Sequence, residues 1–458
     1  MNKTDTIAAI STAMNSSGIG IVRMSGDEAF NIIKKIFRPA GKKDISQVSS
    51  HTVHYGNIVD EEEVIDEVLV LIMRAPHTYT REDTVEIDCH GGIYVLNRTL
   101  ELCLKNGARP ADPGEFTQRA FINGRIDLSQ AEAVIDVINA QNDYALKSAV
   151  GQLKGSVSEK IKALRAQLIE QVAYIEAALD DPEHIEMEGY GTELLPILQK
   201  IRGEIKALID SADDGRIIKE GIKTVILGKP NAGKSSFLNA LIGQERAIVT
   251  DIAGTTRDAL EESIRIKDIT LNIIDTAGIR ETGDIIEKIG VEKALEYAKD
   301  ADLIVFVADT SVPLDENDYK IINIIKGRKA IALLNKSDLE PAWEADCLKE
   351  MLDCPLIECS AKNGSGITEF EKTVRQMFYN REISFNDQVY ITNARQKAAL
   401  CAAQESVSAA IATIGSSLSE DFYTIDMMDA YTSLGEVIGE AIEDDLADEI
   451  FSKFCMGK

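Results

Sequence analysis

The stretch IKTVILGKPNAGKSSFLNALIG, residues 222–243, constrains the architecture of this chain more than any other. A short β-branched run at 223–227 breaks into a glycine-bearing loop, and the loop into a helix opening at Gly233 or Lys234. From Gly228 to Ser235 the loop fits G-x-x-x-x-G-K-[ST]. Glycines let the backbone wrap phosphates, and successive N–H groups and the helix N-terminus point at negative charge. Lys234 then bridges to β/γ-phosphate oxygens and Ser235 ligates Mg²⁺. The phosphate-loop set is Asn231, Ala232, Gly233, Lys234, Ser235 and Ser236.

Downstream, LNIIDTAG runs an apolar strand into Asp275, Thr276, Ala277 and Gly278. There a carboxylate reaches Mg²⁺ through water, and the Gly278 N–H is placed to sense a γ-phosphate. Two more strands follow at α/β spacing, ADLIVFVAD and KAIALLNKSD. The second brings Asn335, Lys336 and Asp338 to a strand end, where an α/β sheet binds ligands. Guanine presents N1–H and N2–H donors together, and a fixed carboxylate such as Asp338 accepts both, which makes GTP the expected nucleotide. The backbone of Ser360, Ala361 and Lys362 closes the base pocket.

Residues 217–383 thus resemble the translation-factor-like GTPases. Two departures from a Ras-like switch stand out. Ile279 follows DTAG where a Ras-like enzyme has the glutamine that orients water, so something else must position it. The loop TDIAGTTRD contributes Thr250, Asp251, Ile252, Ala253, Gly254, Thr255 and Thr256, with Thr256 as the switch I ligand of Mg²⁺. With Asn231, that loop can offer oxygens to a monovalent cation beside the phosphates, supplying the charge an arginine finger supplies elsewhere.

At 458 residues the chain is expected to form two to three domains. A net charge of −27 argues against strong unaided binding to nucleic acid, though a partner can hold it. No stretch reads as a membrane span or a signal peptide, so a cytoplasmic location is expected. The seven cysteines, at 89, 103, 347, 354, 359, 401 and 455, form no C-x-x-C pair and indicate neither a disulfide framework nor a zinc knuckle. Cys89 and His90 face opposite sides of a strand, so no shared metal is expected there. DDPEHIEMEG at 180–189 reads as a solvated loop.

The first 120 residues read as mixed α/β, with strands at HTVHYGNIV, DEVLVLIMR and DTVEIDCH and a helix at about 92–106. GIGIVR lacks the third glycine of a dinucleotide fingerprint. The segments 121–216 and 384–458 are helical, the first opened by a capping box of Ser129 and Glu132. The fold class expected is multidomain: an α/β N-terminal domain (1–120) and an all-α domain in two parts, interrupted by an inserted α/β P-loop G domain (217–383).

Taken together, DTIAAIST, GIGIVRMSG, DTVEIDCHGG, DPGEFTQRAFINGRIDLSQAEAV, GKPNAGKS, TDIAGTTRD, DTAGIRETGDIIEKIG and the terminal FCMGK resemble the MnmE (TrmE) family of tRNA-modification GTPases, in the TrmE-Era-EngA-like superfamily. The likeness spans the whole chain in the family's order. It implies an N-terminal domain that forms a homodimer and binds 5-formyl- or 5,10-methylene-tetrahydrofolate at Arg23, Glu86, Arg125 and Lys458. Many members have lysine where this chain has Arg125, which keeps the charge and changes the donor geometry. It further implies a K⁺ site at Asn231, Thr250, Ile252 and Thr255, and a water-positioning acid at Glu287. The resemblance also implies that Cys455 is directed toward the folate pocket, as nucleophile, proton-transfer group or positioning group. Met456 stands where most members have isoleucine, a volume-tolerant change.

The implied reaction adds an aminomethyl or carboxymethylaminomethyl group to C5 of wobble uridine 34 of certain tRNAs. The implied partner is the flavoprotein MnmG (GidA), in a heterotetramer or larger complex, which carries the FAD and most tRNA contacts. Two other classes remain: a GTP-dependent switch in ribosome assembly, for which no basic RNA-binding module is visible, and a stand-alone folate enzyme.

Overall fold

Period-two alternation and continuous apolar runs build two different sheets. The computed structural model describes residues 5–41, 44–184, 189–243, 249–250, 262–266, 269–274, 297–379, 389–416, 420–440, 450–452, 454 and 457. The chain divides into two compact units: Met1–Ile135, Gln152–Arg202 and Ala402–Lys458 form one, and Asp136–Gly151 with Gly203–Cys401 the other.

In the first unit the strands are β1 (Ile7–Ile10), β2 (Gly20–Ser25), β3 (Phe37–Pro39), β4 (Thr52–Asp60), β5 (Glu63–Met73), β6 (Thr84–Cys89) and β7 (Arg109–Pro110), in spatial order β3-β4-β5-β6-β2-β1-β7. Among the described strands of this unit, only the β1–β7 pairing is parallel. Along β5, Val68, Val70 and Ile72 are buried while Leu69 between them is exposed, so one face carries the core. Helices Ala29–Ile36 and Ile93–Lys105 cover that face with Ile32, Ile33, Leu96 and Leu102. The strands and the helix expected in the first 120 residues are all present.

The helical segment that follows breaks into Leu128–Asn139, Asp143–Leu153 and Ser156–Asp180. Its capping box is not Ser129 with Glu132. The Gln130 amide donates to Asp127 Oδ1 and the Asp127 amide to Gln130 Oε1, both at 3.0 Å, so the box lies two residues earlier. Ser129 is buried in the first turn and its hydroxyl donates to the same carboxylate at 2.6 Å. Helix Ser156–Asp180 packs along Glu420–Ile438. Between them Arg165 lies 4.0 Å from the Tyr431 ring centroid, donates from Nε to the Tyr431 carbonyl and pairs with Glu440. Helix Ala394–Gly415 corrects one expectation, since by length and composition alone it is long and apolar enough to cross a membrane. Its apolarity is mostly alanine, and Leu400, Ala403, Val407 and Ala410 are buried.

The second unit contains β8 (Ile222–Leu227), β9 (Val249–Thr250), β10 (Glu262–Ile266), β11 (Ile269–Ile273), β12 (Leu303–Asp309), β13 (Ala330–Asn335) and β14 (Leu356–Glu358), ordered β14-β13-β12-β8-β11-β10-β9. Strands β14 to β11 are parallel, and β10 runs antiparallel to β11 and β9. Every residue of β12 and β13 is buried, because apolar clusters cover both sheet faces. The chain enters this sheet from helix Tyr190–Glu220 and leaves it past Tyr390, and the two passages touch. The Ile391 amide donates to Ser211 Oγ at 3.2 Å, Lys397 pairs with Asp213 at 2.8 Å, and a Cβ on Gly215 would meet the Ile391 carbonyl oxygen at 2.1 Å. The molecule is multidomain, with an α/β N-terminal domain, a helical domain and an α/β P-loop G domain.

Candidate functional site: a phosphate loop and a base-reading corner

The parallel strands of the second unit deliver three chain segments to the same end of the sheet. After β8 comes the loop 228–233, then helix Lys234–Ile242, opening where the sequence places it. Gly233 caps that helix at φ 98°, and a Cβ there would meet Asn335 Nδ2 at 2.0 Å, so only glycine fits. Lys234 Nζ reaches back across the loop and donates to the carbonyls of Gly228 (2.6 Å) and Lys229 (2.9 Å). Burial pulls its pKa down. An ammonium so placed, at the N-terminus of helix Lys234–Ile242, suits a polyanion. Ser235 lies in the first helical turn, where its hydroxyl oxygen is of the type that suits a hard divalent cation.

At the end of β13, Asn335 ties three segments together. Its Nδ2 donates to the Ala232 carbonyl at 2.7 Å, and its Oδ1 accepts from the Ala361 amide at 3.1 Å. Asp338 is exposed and accepts from Ser360 Oγ at 2.7 Å. That bond is the chief cause of its lowered pKa, so the carboxylate stays charged and aligned. The expected phosphate-loop residues and the Asn335, Lys336, Asp338, Ser360 and Ala361 set are thus brought to one edge of the sheet.

Sequence reasoning missed two supports of this edge. Lys229, the second residue of the phosphate loop, pairs with buried Asp318 at 2.8 Å and with Asp315 at 3.5 Å. Asp315 and Asp318 form a reciprocal cap at the start of helix Glu316–Ile325, anchoring the loop to that helix. The sequence signal is an Asp-x-x-Asp before an apolar run. The second support, Asp309 at the end of β12, holds Lys336. Its signal is a carboxylate ending an otherwise apolar strand.

Several expected residues lie outside the described residues: Asp251, Ile252, Ala253, Gly254, Thr255, Thr256, Asp275, Thr276, Ala277, Gly278, Ile279 and Glu287. Of Thr250 the backbone is described, in β9 opposite Ser263.

The first unit holds a second cluster. Arg23 and Glu86 are cross-strand neighbours on β2 and β6, and Arg23 Nε donates to Glu86 Oε1 at 2.7 Å. Arg23 Nη1 also donates to the Gly457 carbonyl at 3.3 Å. The guanidinium of Arg125 lies 4.7 Å from the Tyr79 ring centroid, and that of Arg23 lies 6.0 Å from the same ring. Of the residues that the resemblance assigns to folate, Arg23 and Arg125 thus approach one ring, Tyr79, and Glu86 is paired with Arg23, while Lys458 lies, with Cys455 and Met456, outside the described residues. Cys89 is buried, its thiol pushed up to about 12 chiefly by burial, whereas His90 is exposed and bonded to Asp66 at 2.6 Å. In the acidic run, His184 pairs with Asp181 at 2.8 Å, both exposed, and residues 185–188 lie outside the described set.

A family model described as the MnmE helical domain matches residues 128–455, and one described as the GTP-binding protein TrmE N-terminus matches residues 6–125. The tRNA modification GTPase MnmE of Lachnoclostridium phytofermentans is 56% identical over 457 residues, covering 100% of this chain and 100% of its own. That of Acetivibrio thermocellus is 49% identical over 461 residues, again covering 100% of both. Among solved structures, the G domain of the T. maritima FeoB iron transporter is 29% identical and covers 34% of this chain and 97% of that chain, with a TM-score of 0.26.

Proposed function

Because this chain belongs to the MnmE family of tRNA modification GTPases, we propose that it adds an aminomethyl or carboxymethylaminomethyl group to C5 of wobble uridine 34 in certain tRNAs. It is a GTP hydrolase and a tRNA modification enzyme. Full-length identity to curated relatives, 56% over 457 residues in one case, carries the reading. The proposed partner is the flavoprotein MnmG (GidA), bearing FAD and most tRNA contacts. The acidity of this chain, −27 overall, supports that division of labour in a shared cytoplasmic complex.

In the proposed mechanism, Lys234 binds the β/γ-phosphates and Asn335 and Asp338 orient the base, while the hydroxyls of Ser235 and Thr256 would hold Mg²⁺, which would neutralise phosphate charge. Asn231, at φ 62°, with Thr250, Ile252 and Thr255 would hold K⁺, which would supply positive charge beside the phosphates, and Glu287 would position the attacking water as two G domains meet. Folate fits the donor set of the first unit. Arg23 and Arg125 suit its carboxylate tail, and Glu86 suits the N–H donors of the pterin. When bound it supplies the one-carbon unit. Arg23, Glu86, Arg125 and Lys458 would hold it, and Cys455 is proposed as a nucleophile, proton-transfer group or positioning group. GTP hydrolysis opens and closes the G domains of a homodimer rather than making the new bond.

Mass spectrometry of tRNA nucleosides from cells lacking the gene should show loss of the C5-modified wobble uridine, restored by the intact gene. An unchanged profile with no second gene copy would remove the proposed reaction and direct attention to the ribosome. A separate check concerns the cation. GTP hydrolysis in K⁺ should exceed that in Na⁺ at equal ionic strength by about tenfold or more. Equal rates would exclude the K⁺ assignment.

A further inference from the structure

Behind the base-reading corner stands a support that no motif marks. Asp309 closes β12 directly opposite Asn335 in the strand register and is almost fully buried. Its Oδ2 lies 2.5 Å from Lys336 Nζ, while its Oδ1 accepts from the Ser311 amide (2.9 Å) and hydroxyl (2.6 Å). Burial pushes the carboxyl up, but the bonds from Lys336 and Ser311 outweigh it and leave its pKa lowered.

The following residues brace the same corner. The Thr310 amide and hydroxyl both donate to the Asn335 carbonyl, at 3.1 and 2.9 Å. The Thr310 carbonyl accepts from the Ala342 amide at 2.7 Å, and Trp343 Nε1 donates to the carbonyls of Asp309 (3.3 Å) and Val312 (3.0 Å). Lys336 itself adopts φ 65°, a left-handed conformation that a lysine holds only when its surroundings impose it. From that residue a turn closes with the Leu339 amide donating to the Lys336 carbonyl at 2.9 Å, and Asp338 lies within the turn.

We propose that Asp309 is a positioning residue for base recognition: by gripping Lys336 Nζ it fixes the turn that presents Asp338, and so sets discrimination between guanine and a purine lacking the 2-amino group. This rests on reading Asn335, Lys336 and Asp338 as the base-facing set. Inosine triphosphate keeps the N1–H donor and lacks the 2-amino donor, so it leaves Asp338 one hydrogen bond short. A bond to a charged group is worth about tenfold to a hundredfold in affinity, and it is sensitive to alignment.

The test is competitive binding of GTP and ITP to the full-length protein against a fluorescent guanine nucleotide. Asp309→Asn keeps the shape and the Ser311 contacts but removes the charge that grips Lys336. It should weaken GTP about tenfold and ITP about twofold, lowering the preference about fivefold. Lys336→Met should lower the preference similarly, and the double variant should lose no more than Lys336→Met alone. Equal weakening of both nucleotides would make Asp309 a structural support only and overturn the proposal, as would additive losses in the double variant. Asp338→Asn tests the underlying reading separately, because it should shift preference from GTP to XTP. If that shift occurs and Asp309→Asn leaves the ratio unchanged, the proposal alone falls; if the shift fails, the base-facing set itself is wrong.

Discussion

Lys234→Met should lower kcat/KM for GTP about a thousandfold, roughly 4 kcal/mol of transition-state stabilisation. Methionine keeps an unbranched stem of similar reach and removes both the charge and the donors. The ammonium is poised by the Gly228 and Lys229 carbonyls at 2.6 and 2.9 Å, at the mouth of a loop whose backbone turns into helix Lys234–Ile242. Burial disfavours that charge, and a polyphosphate is the counter-charge that reverses the penalty. Phosphate release from full-length protein measures the effect. Emission from Trp343, the chain's single tryptophan, packed against β12, checks that the G-domain fold persists. A loss below tenfold with the fold intact would mean that Lys234 does not reach the phosphates.

Arg119→Met should destabilise the sheet of the first unit by about 3 kcal/mol. Arg119 is buried and pairs with Glu82 at 3.1 Å, Glu115 at 3.0 Å and Asp5 at 2.8 Å. Removing it strands carboxylates in low dielectric, although Arg109 still serves Glu115 and Asp5. Hydrogen–deuterium exchange is the suitable measurement in a two-unit protein, and protection of β1 and β6 should fall about a hundredfold. The pH dependence has a definite sign. Burial raises the Glu115 pKa, but Arg109, the Asp112 amide and Arg119 outweigh it and leave it below its ordinary value of 4.5; Asp5, likewise, lies below 3.8. Depressed carboxylates contribute stability above the unfolded pKa and lose it as pH falls through the folded one. The gap between wild type and variant should therefore be full above about pH 5 and narrow below about pH 4. A gap independent of pH would remove the ion pairs as its cause.

The two sheets were legible to different degrees. β12 and β13 announce themselves as unbroken apolar runs, because both faces are covered. The helix after the phosphate loop could be placed at Lys234, since Gly233 and the G-K-S spacing mark its start. The capping box was misplaced because Ser129 and Glu132 have the right types and spacing, and only burial shows that Asp127 takes the cap. The base-reading residues were readable as a motif, but what holds them was not. Asp309 closes β12 and Lys336 follows β13, and only strand register brings the two together. The same holds for Lys229 and Asp318, a pair made by the loop's approach to a neighbouring helix.

The touching passages into and out of the G domain bear on how the chain folds. Ser211 and Ile391 are hydrogen-bonded across a separation of 180 residues. Closing so long a loop in an unfolded chain carries an entropy cost of about 5 kcal/mol on the three-halves RT ln n scale. Once β8 to β14 have assembled, about 11 residues remain between Ser211 and Ile222 and about 33 between Glu358 and Ile391, and closing a loop of about 44 costs about 3 kcal/mol. The sheet thus acts as its own clamp on the helices that carry it. On this entropy scale, assembling the G domain first lowers the cost of joining Ser211 to Ile391.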